Sequence, residues 1–303
     1  MQLTGLHILL TYECNFECDH CFVWSGPFRT GVLTVPQLDD ILGQARDAGT
    51  VEWIYFEGGE PFLYHALLRY GVRRAAKLGF RVGIVSNAYW ATTSEDAEEW
   101  LRDFAGLVDD LSVSCDPFHG DEDQVRRARL AEEAARRLGI PFGTIEVAGE
   151  ETAGRAVGQL PEGESGVMYR GRAAVKLAPA ARKRPASGMT ECPYEDLREP
   201  GRVHLDPFGN LHICQGIVMG NLFRSPLREI CEAWDPDAHP VTGPLLSGGP
   251  LELARRYGVP IAGAYADACH LCYETRIALR SRFPAELGPP RMYGEVEEAA
   301  RAD

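Results

Sequence analysis

Short apolar runs alternate with amphipathic stretches through the first half of the chain, and this rhythm restricts the fold more than any other feature. LHILLTY at 6–12 precedes a helix-like stretch at 36–48, VEWIYF (51–56) precedes 63–78, FRVGIVS (80–86) precedes 94–104, and DDLSVSC (109–115) precedes 121–138; IPFGTIEV (140–147) follows. Strand, helix, strand in repetition predicts an α/β fold with a parallel sheet covered by helices. Leu38, Ile41, Leu42 and Ala45 recur at helical spacing after Pro36, and Gly49, Gly79 and Gly139 stand where helices should stop. A loop-like stretch from about 149 leads to a last short strand near VMYRG (167–171), and KLAPAARKRPASG (176–188) reads as a linker. From Glu191 the pattern changes. GRVHLDPFGNLHICQG (201–216) predicts a β-hairpin about a Pro-Phe-Gly-Asn turn, and SPLREICEAW a short helix capped by Ser225 with Pro226 at its first position. The end of the chain is Pro-rich and then acidic.

With 303 residues, 45% of them apolar, the chain can bury a large core. A formal net charge of -13 opposes attraction to DNA, RNA or anionic lipid, so neither nucleic acid nor membrane is expected as a partner. The N-terminal segment has no basic n-region or small-residue cleavage site, and no apolar run approaches the roughly 18 residues of a membrane span. Nine cysteines, an odd number in clustered spacings, fit ligand chemistry in a reducing compartment better than a disulfide framework. The expected location is cytoplasmic.

Cys14, Cys18 and Cys21 form C-x3-C-x2-C directly after the first expected strand, where the loops of parallel strands commonly build active sites. Three thiolates can hold three irons of a [4Fe–4S] cubane and leave the fourth iron open. A zinc site completed by His20 or a distant fourth ligand is the other reading of the spacing. EGGEP (57–61) follows the second strand. Its glycine pair lets backbone approach a ligand closely, and Glu60 can neutralise an ammonium group.

These two motifs together resemble the radical S-adenosylmethionine superfamily. The resemblance implies a partial (β/α)6 barrel over residues 1–172 and a [4Fe–4S] cluster on Cys14, Cys18 and Cys21 whose open iron binds S-adenosylmethionine. It implies that His20 takes the aromatic position before the last cysteine, and that Gly58, Gly59, Glu60 and Pro61 contact the methionyl amine. Asn87 in VSNAYW and Ser114 and Asp116 in SVSCDP lie where the family carries polar contacts to the cofactor; by strand alternation Ser112, Ser114 and Asp116 point inward, and Cys115 faces the helices as a core thiol.

Cys192, Cys214, Cys269 and Cys272 can close around one tetrahedral site, which spacing alone assigns equally to zinc or to a second cluster. Here GRVHLDPFGNLHICQG and MGNLFRSPLREI resemble the SPASM or twitch extension of the same superfamily, which implies one auxiliary [4Fe–4S] cluster in a small hairpin-and-helix subdomain over 191–283, after a linker at 173–190 and before a tail at 284–303. Cys231 falls on a helix after Leu227 and Ile230; it is a core thiol or, alternatively, a hydrogen-atom donor or extra ligand.

The implied chemistry is reductive cleavage of S-adenosylmethionine to a 5′-deoxyadenosyl radical, with electrons from a donor such as flavodoxin or ferredoxin. The expected substrate is a polar small molecule of sugar or cyclitol type, oxidised with help from the auxiliary cluster; Arg170, Arg172, Tyr89, His119 and Tyr169 are candidate pocket residues. The alternatives are a SPASM-type maturase of a ribosomally made peptide, a radical epimerase, and a noncatalytic zinc or iron–sulfur protein. With about five residues before the first strand, this chain is expected to carry no N-terminal peptide-recognition domain of its own.

Overall fold

The computed structural model describes residues 1–119, 122–148 and 164–295. Most of the loop-like stretch at 149–163 and the acidic end at 296–303 lie outside the described residues.

Strand β1 (Leu3–Thr11) leads to helix α1 (Val35–Ala48), and β2 (Trp53–Gly58) to α2 (His65–Lys77). The series continues with β3 (Arg81–Ser86), α3 (Ser94–Arg102), β4 (Asp110–Ser114), α4 (Glu122–Leu138), β5 (Phe142–Ala148) and β6 (Glu164–Gly166). Strands β1 to β6 are consecutive parallel neighbours, the six-stranded arrangement expected. The last of them ends at Gly166 instead of spanning VMYRG, so Arg170 and Arg172 leave the sheet and lead into α5 (Arg172–Lys176).

Alternation sorts the strand residues. Leu6, Ile8 and Leu10 of β1, with Ile54, Phe56, Val82, Ile84, Leu111 and Val113, form a fully buried core with Leu38, Ile41, Leu42 and Ala45 of α1. Thr34 caps α1 in a capping box with Gln37, and Gly49 ends it at φ 77°. His7, Tyr55 and Glu57 take the intervening positions and face the barrel interior.

The expected linker is a packed connection. Ala178, Ala181 and Ala186 are buried, and β7 (Arg184–Pro185) pairs with a distant strand at Ala264–Tyr265. Beyond it β8 (Gly201–Leu205), β9 (Asn210–Cys214) and β10 (Ile217–Asn221) form a meander whose first strand runs parallel to β1, so the predicted hairpin continues the main sheet. Asp206 fixes the turn: its carboxylate accepts from the amides of Phe208 and Asn210 at 2.9 Å and from Tyr12 Oη at 3.1 Å, and lies 3.3 Å from His212 Nε2. Helix α6 (Leu227–Ala233) begins one residue after Pro226, which occupies the cap position; Ser225 does not cap it, and the first amide, Leu227 N, donates to Gln44 Oε1 of α1. Helix α7 (Thr242–Tyr257), broken at Gly248 and Gly249, strand β11 (Ala264–Tyr265) and α8 (Ala268–Leu279) complete the C-terminal part. The described part of the expected tail is packed, with Leu287, Met292 and Tyr293 buried.

Burial raises the Asp206 pKa, but His212 and the Asn210 donors outweigh it and hold the carboxyl below its ordinary range. Its folded-state pKa is therefore depressed, so the stabilisation exists above the unfolded value near 3.9 and is lost as pH falls through the folded one. Asp206→Asn is expected to cost about 3 kcal/mol in urea unfolding at pH 7, with the gap to wild type narrowing as pH drops below about 4.

Candidate functional site at the strand ends

Beyond Thr11 the chain loops over the C-terminal end of the sheet and returns at Val32, held by bridges Thr11–Val32 and Glu13–Gly26. Cys14, Cys18 and Cys21 of this loop line one open cleft of about 740 Å³ together with His20, Gly58, Gly59, Asn87, Ser114 and His119. Donors surround the sulfurs. Phe16 N lies 3.4 Å from Cys14 Sγ, Ser25 N 3.3 Å from Cys21 Sγ, and Asn87 Nδ2 3.7 Å from Cys14 Sγ. Burial and then the neighbouring Cys21 push the Cys18 thiol up to about 12, a penalty that a bound cation would offset. Three convergent thiols with donors to sulfur suit an iron–sulfur cluster.

The glycine pair closes on the loop itself. A β-carbon at Gly59 would meet Glu13 O at 1.9 Å, and one at Gly58, where φ is 136°, would meet Thr11 O at 2.5 Å. Gly59 N donates to Thr11 O and Glu60 N to Glu13 O, which ties the end of β2 to the cysteine loop.

Glu60 does not face the cleft as expected. It is fully buried, with Oε1 accepting from Phe62 N and Ser86 Oγ at 3.0 Å and Oε2 from Asn87 N at 2.7 Å, so protein donors take both oxygens. Burial raises its pKa to about 7 against these donors. Pro61 is buried beside it at the start of a 3-10 turn. Asp116 also turns from the expected role. Its Oδ1 accepts from Phe118 N and pairs with His119 Nδ1, both at 2.9 Å, while His20 Nε2 lies 3.8 Å from Oδ2; it positions the two imidazoles that line the cleft. Burial drives the His20 pKa down to about 4.

Cys231 takes the core position of its two readings. It is buried in the core between sheet and helices, with Leu227 and Ile230, and lines neither thiol site, so it can neither donate hydrogen nor ligate there. Cys115 packs against that same core, on the helix side. Tyr89 stacks edge-on to Trp100 and Tyr169 sits in a small separate cluster, both away from the cleft lining. Arg172, expected at the substrate, is a clamp: buried, it donates to Cys18 O at 2.7 Å and to Ser25 O, and its amide bonds Cys21 O at 2.9 Å. Sequence reasoning missed Gln124 of α4, which bonds Asn87 O at 2.8 Å and Ser114 O at 2.6 Å and joins two strand ends; a single glutamine on an amphipathic helix gives no signal.

The second thiol set also converges. Cys192, Cys214 at the end of β9, and Cys269 and Cys272 on the first turn of α8 line one cavity of about 420 Å³. Arg170 enters this cavity instead of a substrate pocket, with Nη1 3.1 Å from Cys214 Sγ and 3.2 Å from Glu195 Oε1. Arg276 lines it too and bonds Gln215 O; among the described residues it has no carboxylate partner. Two buried guanidiniums call for anionic sulfurs, which a bound metal or cluster provides.

Residues 8–141 match the model of the Radical SAM superfamily. YydG of Bacillus subtilis (strain 168) is 27% identical over 113 residues, 37% of this chain and 35% of that protein. PqqA peptide cyclase of Streptomyces rochei is 34% identical over 146 residues, 46% of this chain and 38% of that protein. The match thus spans little more than a third of these curated relatives. The crystal structure of BtrN in complex with AdoMet and 2-DOIA superposes with a TM-score of 0.50 at 15% identity, over 76% of this chain and 82% of that one, a likeness of fold. The matched superfamily uses a cluster that binds S-adenosylmethionine, and the open three-cysteine cleft of this chain fits such a group. With the end of β1, strands β2 to β4, the cysteine loop and the Gly58–Gly59 turn inside the matched span, residues 8–141 match a radical SAM superfamily domain.

Proposed function

We propose that the chain is a radical S-adenosylmethionine enzyme that oxidises a hydroxylated small molecule of sugar or cyclitol type. The observation that carries this reading is the pairing of two unlike thiol sites. Three cysteines stand in an open cleft at the strand ends, and four surround a separate cavity flanked by buried arginines. An open metal site suits catalysis, and a site with four protein ligands suits an auxiliary centre. On this reading residues 191–283 form the unit that holds an auxiliary [4Fe–4S] cluster, and flavodoxin or ferredoxin supplies electrons.

When bound, cluster and S-adenosylmethionine together supply the 5′-deoxyadenosyl radical that removes hydrogen from a C–H bond. The chain's own residues do the positioning. Cys14, Cys18 and Cys21 would hold the first cluster, and the amides of Phe16 and Ser25 donate to two of those sulfurs. Asn87 and Ser114 offer polar groups along the cleft wall, with Gln124 fixing their backbones. Cys192, Cys214, Cys269 and Cys272 would hold the auxiliary cluster, with Arg170 and Arg276 balancing its charge. The fold shared with BtrN, whose structure contains AdoMet and 2-DOIA, supports a small-molecule substrate. The 34% identity to PqqA peptide cyclase supports a second reading, modification of a ribosomally made peptide.

Anaerobic reconstitution of the purified chain is expected to load about eight irons and yield 5′-deoxyadenosine with a strong reductant. Cys14→Ala should lose about four irons and all cleavage, while Cys269→Ala should lose about four irons, keep cleavage and form no oxidised product from a hydroxylated substrate. About two zincs and no cleavage would overturn the reading in favour of a noncatalytic metal protein.

Cys231→Ser and Arg172→Gln separate core from clamp. The first should leave iron content and 5′-deoxyadenosine formation within about twofold of wild type, since its thiol touches neither site. The second removes a buried cation from two carbonyls of the cysteine loop and should lower iron loading at that loop, with about 3 kcal/mol lost in thermal unfolding.

A further inference from the structure

Three polar side chains in the barrel interior have no part in the function above. His204 of β8, His7 of β1 and Glu57 of β2 come from adjacent parallel strands. His7 and His204 are register partners, and Glu57 pairs with Leu9, one pleat closer to the strand ends and to the cleft that it lines. His7 Nδ1 lies 3.2 Å from Glu57 Oε2, and His204 Nε2 lies 3.1 Å from Glu57 Oε1. All three donor atoms fall within 4.8 Å of one another.

We propose that His7, Glu57 and His204 form a binding site for one divalent transition-metal ion of the zinc class, with its remaining coordination position open to the cleft. Two observations favour a cation over a purely structural contact. First, the grouping is compact enough for a common centre: one ligand atom from each of the three residues, all within 4.8 Å of one another, can be spanned by metal bonds of about 2.0–2.2 Å after small side-chain shifts. Second, Glu57 Oε1 is buried without a hydrogen-bond partner despite its 3.1 Å distance from His204, because the imidazole N–H is out of line. A carboxylate oxygen in that position has exchanged water for a poorly aligned contact with His204, and a metal ion would use its lone pair better.

The rings are held in place. His7 stacks on Tyr55 at 4.6 Å and Phe22 meets His204 edge-on at 5.6 Å, which limits ring rotation in the way that supporting contacts do around metal-bound histidines. Two imidazoles and one carboxylate select zinc, iron or nickel over magnesium or calcium, which take oxygen ligands. Glu57 lines the cleft, so a ligand completing the site from that side, water or a substrate hydroxyl, would enter through the cleft. The site stands on its own side chains and does not depend on the radical chemistry.

The test uses the reconstituted holoenzyme, equilibrated anaerobically with Zn²⁺ against a chelator of known affinity, with zinc and iron counted together. Wild type is expected to bind about one zinc per chain beyond its iron. Glu57→Gln and His204→Asn should weaken that zinc by more than about 100-fold, beyond the effect of losing a mere supporting partner, with iron unchanged. Equal zinc in wild type and both variants, or none in wild type, would overturn the proposal. If Glu57→Gln fails to keep its iron, His204→Asn and His7→Gln decide. Zinc uptake by a chain that takes no iron would sink the radical reading and leave this one standing.

Discussion

Residue 59 has no room for a β-carbon. With the Glu13 carbonyl oxygen 1.9 Å from where one would sit, the end of β2 can touch the start of the cysteine loop only through glycine, and that contact organises what surrounds it. The next residue, Glu60, turns its carboxylate inward to Phe62, Ser86 and Asn87, joining the ends of β2 and β3. Asn87 reaches back to Asn15 at 2.9 Å and toward Cys14, and Gln124 adds the end of β4. Three strand ends and one loop are thus held by a chain of polar bonds, each costly to leave unmade. The thiols gain their positions from this chain of bonds; the loop alone has no regular structure to fix them.

Buried arginines set the second constraint. A guanidinium cannot shed its proton in a protein, so an arginine without water must meet carbonyls or anions. Arg172 meets the carbonyls of Cys18 and Ser25, which makes it a brace for the first loop. Arg170 has Glu195 and Cys214, and Arg276 has only a carbonyl, aromatic rings and the sulfurs near it. Burial would lower the Arg170 pKa, yet Cys214 and Glu195 more than reverse that. Anionic sulfurs at Cys214 and Cys272 would complement these two guanidiniums, and under the proposed function that charge comes with a group bound there.

Periodicity made the outer architecture legible and left the C-terminal half dark. The apolar positions of α1 and the strands declared themselves because one face of each packs on one layer, so Leu38, Ile41, Leu42 and Ala45 could be named from spacing. The seven cysteines that spacing singles out line two pockets, three in one and four in the other. Helix α7 was hidden by Gly248, Gly249 and Pro250, which break its regular dihedrals at a kink where Gly249 meets the backbone of Glu191. Glu60, Arg170 and Arg172 are charged residues in a motif or beside a strand end, where sequence alone cannot separate a ligand contact from a structural one. Each instead satisfies buried backbone or sulfur, a demand that exists only once the chain has folded. Cys231 shows the converse, a reactive residue type whose surroundings make it a core apolar group.

The two faces of the sheet carry different kinds of information. On the helix side, substitution among apolar residues changes packing by degrees, so residue type there reports little beyond fold. On the interior side, His7, Tyr55, Glu57, Ser112, Ser114 and His204 occupy positions where apolar residues would pack at lower cost. A carboxylate held there, with burial opposing its charge and two imidazoles holding its pKa well below the ordinary range, is an expensive arrangement for a merely structural purpose. Strand alternation makes such residues stand out as polar interruptions in an otherwise apolar run. In a parallel sheet the pleat fixes which face each interruption occupies, so a polar residue on the interior side is placed beside the strand-end loops that carry the thiols.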